Sequence, residues 1–320
     1  MHILSTAATE CQLNPTISFW KTVDKDIKNE YALTKSFAEV IIMTAKIITD
    51  SGANCFAPVI GGIPHANVPL TIMVNGHAWL DNEQLDLANF LLALKNTKTP
   101  TSTACPSVGE WLKAFAGADE IFVLTITSAL SGSYNAAVQA AELFMNDRPG
   151  VRIHVFDTKS AGPQIRLLAS QLAVTINHGY SFDEIIEITN TQIHQTDLLF
   201  ALTELNNLAN NGRVSPAIAK LTRLLHLSIY GTTSTTGEFQ MLGKMRGGKR
   251  LLPKLAQVME KQGYVGGRVF IDHVNCRPQA DQLASTIAQV FPGAIINVSA
   301  CGALCSYYAE NGGLMIGFEK

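Results

Sequence analysis

Residues 124–144, LTITSALSGSYNAAVQAAELF, hold the feature that most limits what this chain can become. An apolar, β-branched run over 121–126 reads as a buried strand. Ser131, Gly132 and Ser133 follow, and an Ala-rich helix is expected over 134–144. The turn puts hydroxyls and unpaired backbone N–H groups at the positive end of a helix dipole. Such a place holds a phosphate or a carboxylate without a Lys or Arg. Taken alone, Ser131 reads as a helix cap. The rest of the chain changes that reading.

The alternation of strand and helix runs on from residue 45. Strands are expected at 46–49, 68–74, 121–126 and 151–156, and helices at 85–94, 108–115, 134–144, 164–177 and 182–195. This pattern predicts a three-layer α/β domain with a parallel sheet over 43–200, its ligands held where the strand C-termini end. Residues 201–320 read as a smaller α/β domain with a mixed sheet. There a strand at 198–203 leads into two short helices, then a strand-turn-strand about Thr236-Gly237. A helix at 250–262, a strand at 267–273, a helix at 278–290 and strands at 294–298 and 313–318 complete it. Residues 1–42 match neither half. A helix is expected over 27–42, a compact αβ chain could begin at Met43, and the extension is assigned no role.

Hydrophobic residues make up 47% of the 320 and charged residues 16%, which allows a large core and argues against disorder. A net charge of −2, with no basic block beyond KMRGGKR, argues against nucleic acid as a partner. No apolar run reaches membrane-spanning length, and the N-terminus lacks a signal-peptide pattern. Cys11, Cys55, Cys105, Cys276, Cys301 and Cys305 are dispersed, which suits a reducing cytoplasm. His273, Cys276, Cys301 and Cys305 could be written as a zinc site. Beside an apolar strand they read instead as packed residues, and no metal or other cofactor is expected. Enzyme readings find little support. Ala129 stands where a nucleophile elbow at Ser131 needs Gly, and neither GxGxxG nor GxxxxGK[ST] occurs.

Several motifs, in order, resemble the DegV family of bacterial fatty-acid-binding proteins, from about Lys46 to the C-terminus. They are Ile48-Thr49-Asp50-Ser51, Val68-Pro69-Leu70 with Asn75-Gly76 and Asp81, and the segment from Thr103-Ala104-Cys105-Pro106-Ser107 to Trp111. Ser131-Gly132-Ser133-Tyr134 is similar to the family's SGTY turn. Asp157-Thr158 with Ser160-Ala161-Gly162, Asn211-Gly212-Arg213-Val214-Ser215 and Lys244-Met245-Arg246-Gly247 follow.

The resemblance implies two α/β domains with a fatty acid between them, its tail in an apolar tunnel. It implies that the carboxylate meets the hydroxyls of Thr103 and Ser131 beside Gly132. Thr101 and Ser102 form a competing pair that needs a two-residue gap. The resemblance further implies a carrier without its own turnover, serving a fatty acid kinase similar to dihydroxyacetone kinases, which makes an acyl phosphate. A lipid-sensing regulator, or an enzyme acting on a small carboxylate, are the alternatives. Three departures stand out. Tyr308 lies where the family commonly has a His, Ala104 replaces a Ser, and Ser228-Ile229 replaces a Lys-Pro. Arg213 could face the kinase, cover the pocket or bond at the surface. His226 and His273 read as packing residues, and Asp50 as the acceptor that steadies the turn after the first strand.

Overall fold

A parallel sheet has to be covered on both faces, and the first half of the chain supplies the helices to do it. The computed structural model describes residues 44–225, 227–246 and 248–320. The extension at 1–42 with its expected helix, His226 and Gly247 lie outside them. The first half contains β1 (Ala45–Asp50), β2 (Val59–Ile60), β3 (Ile63–Val68), β4 (Thr71–Val74), β5 (His77–Leu80), α1 (Leu87–Asn96), β6 (Ser102–Ala104) and α2 (Val108–Ala114). It continues with β7 (Glu120–Thr125), α3 (Ser133–Asp147), β8 (Arg152–Asp157), α4 (Pro163–Asn177) and α5 (Phe182–His194).

Five strands pair in the order β2-β3-β1-β7-β8, parallel throughout except for β2 with β3. On one face Ile48, Ile121 and Val123 pack against Trp111 of α2 and against Ala137, Ala140 and Phe144 of α3. On the other, Ile47, Phe122 and Leu124 pack against Ile165 and Leu168 of α4 and Phe182 and Ile185 of α5. This is the expected three-layer arrangement. Ser107 and Ser181 start α2 and α5 with capping boxes through Glu110 and Glu184. The single strand expected at 68–74 is two strands. Pro69, with no N–H for a ladder, separates β3 from β4. β4 instead joins an antiparallel sheet in the order β5-β4-β6, which the sequence pattern did not suggest.

The second half contains β9 (Thr196–Leu202), α6 (Asn206–Asn210), α7 (Pro216–Leu225), β10 (Ser228–Thr233), β11 (Phe239–Met245), α8 (Gly248–Lys261) and β12 (Gly267–His273). It ends with α9 (Arg277–Val290), β13 (Ala294–Ala300), α10 (Ala303–Ala309) and β14 (Leu314–Glu319). Its sheet is mixed, ordered β11-β10-β9-β14-β12-β13, with β12 and β13 parallel and the other pairs antiparallel. One face packs Val269, Ile271 and Phe318 against Leu255, Met259, Leu283 and Ile287 of α8 and α9.

The opposite face meets α4, which therefore packs on both large sheets. A buried polar cluster crosses the same join. Arg166 of α4 bonds Asp272 of β12 at 2.6 Å, and the Asn54 amide donates to that carboxylate at 2.7 Å. The expected boundary at residue 200 falls inside β9. The polar Thr196 and Asp197 already pair with Glu319 and Phe318, so the chain changes sheet straight after α5.

Candidate ligand-binding site

β7 runs between β1 and β8, so the loop after it has a strand end on either side, and each contributes a carboxylate. Asp50, ending β1, accepts the Ile126 N–H at 3.0 Å and the Ser133 hydroxyl at 2.5 Å. Asp157, ending β8, accepts the Ser128 N–H at 3.0 Å and also the Ser128 hydroxyl. The Asp157 carboxyl is held below its usual range: burial works against this, but Lys159, 2.5 Å away, and Ser128 outweigh it. The Thr127 N–H bonds the Ser160 carbonyl at 2.8 Å. Between these anchors the loop delivers Ser131 and Gly132 to the start of α3. Ser131 Oγ accepts the Ser133 N–H at 3.2 Å, a local serine turn just ahead of the helix, whose N-cap is Gly132 with no side-chain cap bond. Gly132 is where the segment after β6 comes close. A Cβ there would stand 3.1 Å from Cys105 Sγ.

Side chains alternate along a strand, and on β6 this sorts the competing hydroxyls. Thr101 and Thr103 turn one way, to the Tyr307 hydroxyl at 2.7 Å and the Tyr308 hydroxyl at 2.6 Å. Ser102 turns the other way, is exposed, and lies outside the cavity. Both tyrosines belong to α10. Its first N–H groups, from Ala303 and Leu304, are bonded by Asp81 at 2.8 and 3.1 Å. Asp81 is 1% exposed, and burial raises its carboxyl to about 6.

These pieces enclose a cavity of about 350 Å³ between the two large sheets. Leu198, Phe200, Leu202 and Met315 wall it from the second sheet, Leu70, Ile126 and Leu130 from the first half, and Leu304 and Cys305 from α10. Thr103, Ser131, Gly132, Arg213 and Tyr308 all line it. Ser131, Gly132 and Arg213, with Leu130 and Phe239, also line an adjoining polar cleft of about 640 Å³, so these three mark where the apolar cavity meets that cleft, while Thr103 and Tyr308 line the cavity alone.

Arg213 is fixed by the Leu130 carbonyl at 3.1 Å and by the Asn211 carbonyl. No ion pair among the described residues involves it. Burial raises the Tyr308 phenol, against the pull of Thr103 and Arg213, so it stays neutral. The β10–β11 hairpin closes over the loop. A Cβ on Gly237, at φ +85°, would stand 2.0 Å from Thr127 Oγ1.

Asp50 does more than steady its own turn, since it reaches across to Ile126 and to α3. His273 sits buried at the end of β12, outside the cavity lining. Among the described residues no group of three or more His, Cys, Asp or Glu is placed to hold a metal ion, and no helix is long and apolar enough to cross a membrane. Sequence reasoning missed α10 as a helix, its Asp81 cap, and Phe239, which stacks on Phe200 at 4.6 Å. The Ser-Tyr-Tyr run ahead of the last strand was the available signal for α10.

The family model described as an uncharacterised protein of the DegV family matches residues 44–320. A DegV domain-containing protein of Streptococcus gordonii is 40% identical over 280 residues, covering 87% of this chain and 99% of that one. A DegV family protein from Eubacterium eligens, solved loaded with heptadecanoic acid, superposes with a TM-score of 0.84 at 38% identity, over 87% of this chain and 100% of that one. The Streptococcus pneumoniae Fatty Acid Kinase (Fak) B3 protein, solved loaded with linoleic acid, gives 0.84 and 38% over 87% and 99%.

Proposed function

This chain belongs to the DegV family, and on that premise we propose that it binds a long-chain fatty acid and presents the carboxylate to a fatty acid kinase, which makes the acyl phosphate. One observation carries the reading: an apolar cavity that meets a polar cleft at Ser131, Gly132 and Arg213, with the Thr103 and Tyr308 hydroxyls in its lining. The tail takes the apolar walls, where each buried methylene contributes about 0.8 kcal/mol. The carboxylate takes the Thr103 and Ser131 hydroxyls and the start of α3 at Gly132, with Tyr308 as a further neutral donor. The Tyr308 phenol stands where the family resemblance places an imidazole and, being neutral, brings no charge of its own near neutral pH.

Arg213 stands where cavity and cleft meet. It offers positive charge to a carboxylate and to the phosphoryl group that a carboxylate oxygen takes from the kinase's phosphoryl donor, the remainder of that donor leaving with the kinase. The chain's part is to hold and orient. The phosphoryl donor and the transfer chemistry belong to the kinase, a protein similar to dihydroxyacetone kinases. We place this carrier in the cytoplasm, and the buried thiols of Cys276, Cys301 and Cys305 support that placement.

Native mass spectrometry of protein purified from a bacterial host tests the reading. A co-purifying species with the mass of a fatty acid is expected, and it should disappear as acyl phosphate forms when such a kinase and ATP are added. A bound nucleotide, or a protein that refuses added fatty acid, sinks the proposal.

A further inference from the structure

Asp50 is fully buried behind the head-group end of the cavity. Its Oδ2 takes the Ile126 N–H and the Ser133 hydroxyl, while its Oδ1 has no hydrogen-bond partner. The Gly52 N–H approaches the carboxyl without completing a well-formed bond to Oδ1. Gly52 also closes the space in front of that oxygen. A Cβ there would lie 2.9 Å from Oδ1 and 2.9 Å from Ile126 Cβ, and Ile126 lines the cavity. A bare carboxylate oxygen sealed among such groups is costly as a charge and far less so as a neutral acid.

The bound anion and Asp50 draw on the same residue. Ser133 begins α3, gives its N–H to Ser131 on the cavity side, and gives its hydroxyl to Asp50 behind. An arriving acyl carboxylate therefore brings a second negative charge to a helix start that already serves one, inside walls of low dielectric. The surroundings relieve this only in part. Asp81 adds repulsion to Asp50 and is itself engaged with α10. The Cys305 thiol is pushed up by burial and stays neutral. Arg213, the cation lining the cavity, offsets part of the ligand's charge while the Leu130 and Asn211 carbonyls fix its position, and none of Asp50's hydrogen bonds comes from it.

We propose that binding of the fatty-acid carboxylate is coupled to uptake of one proton by Asp50. The inference rests on the fatty-acid reading above. The proton comes from solvent and returns to it when the acyl group leaves, and no covalent bond of the ligand changes. Burial already raises the empty site's Asp50 to about 7, against the pull of Ser133 and Ile126. The sign follows from linkage. The protonated protein is the better anion binder, so affinity falls as pH rises above that value. The fall is up to about tenfold per pH unit for as long as the loaded form keeps its proton.

Calorimetric titration of the delipidated full chain at about pH 7.5, in two buffers of different ionisation enthalpy, counts the protons. The probes are dodecanoate and dodecanesulfonate, whose head group stays ionised. Uptake of about half to three-quarters of a proton with each anion is expected, since the empty site is already about a quarter protonated at that pH. Asp50→Asn should bring the count near zero at whatever affinity it retains and flatten the pH slope, while Asp81→Asn should keep the uptake. Anion binding without proton uptake by the natural protein, or uptake that persists in Asp50→Asn, overturns the proposal. Should Asp50→Asn fail to fold, infrared difference spectra of the natural protein decide. A new carboxylic-acid carbonyl band on binding the sulfonate is expected, and its absence overturns the proposal. Failure of both anions to bind overturns the fatty-acid reading itself, and this inference with it.

Discussion

Thr103 and Tyr308 stand 2.6 Å apart, hydroxyl to hydroxyl, so one donates to the other and a single O–H is left for a ligand. A carboxylate at this end of the cavity takes that hydrogen and the one on Ser131. Charge-assisted hydrogen bonds contribute roughly 1.5–3 kcal/mol each, or about one to two orders of magnitude in affinity. Thr103→Val and Ser131→Ala should each weaken fatty-acid binding by about that much in a fluorescent fatty-acid titration. Ser131→Ala should also lower ligand-free stability by about 0.5–1 kcal/mol, the net worth of the one hydrogen bond it removes from the Ser133 N–H. Thr103→Val should spare stability, and equal affinity in both variants and the natural chain would remove the site. Of the six residues expected to meet the ligand, Thr103, Ser131, Gly132, Arg213 and Tyr308 line the cavity and Ser102 does not. A strand of three residues has too little alternation to show which hydroxyl turns inward.

At the scale of elements, α6 and α10 meet through carboxyl groups. Glu310, just past α10, accepts the Asn207 N–H at 2.9 Å and the Asn206 amide at 3.0 Å, and it lies beside Glu204. Burial, reinforced by Glu204, raises Glu310 to about 7. The folded chain thus holds a proton that the unfolded chain releases nearer pH 4.5. Stability at this join is fully present below the unfolded value and is lost as pH rises toward 7, by at most about 1.4 kcal/mol per pH unit. Urea midpoints at pH 5, 6 and 7 should fall in the natural chain, and Glu310→Gln should make the fall shallower, the remainder coming from Asp50 and Asp81, which burial also raises. An unchanged slope in that variant would count against this origin.

Elements with several periods of pattern, such as β7, α4 and α5, were legible in the sequence to within a few residues. β2, β5 and β6 were not, since two to four residues carry no period. Nor was α10, seven residues long, whose capping acceptor lies at Asp81, far away along the chain.

For the molecule as a whole, α4 and the Asn54–Arg166–Asp272 cluster make the two sheets one structure. Asp272→Ala leaves the Arg166 guanidinium, mostly buried, without its partner, and breaking such a pair costs about 3–5 kcal/mol. Denaturant unfolding should show that loss, and a loss under about 1 kcal/mol would mean that water relieves the charge. The family match begins at residue 44. A truncated chain starting at Met43 should therefore fold and retain fatty acid, and loss of lipid from a folded truncate would give the extension a role. The cavity between the sheets has a last consequence. It is a gap in the interior that the ligand fills, so the lipid stands in for missing core side chains. Loaded protein should resist thermolysin longer than stripped protein, by a margin that grows with free fatty acid. In a cell short of lipid, the empty form is the one that proteases remove first, and the amount of carrier would follow the supply of its cargo.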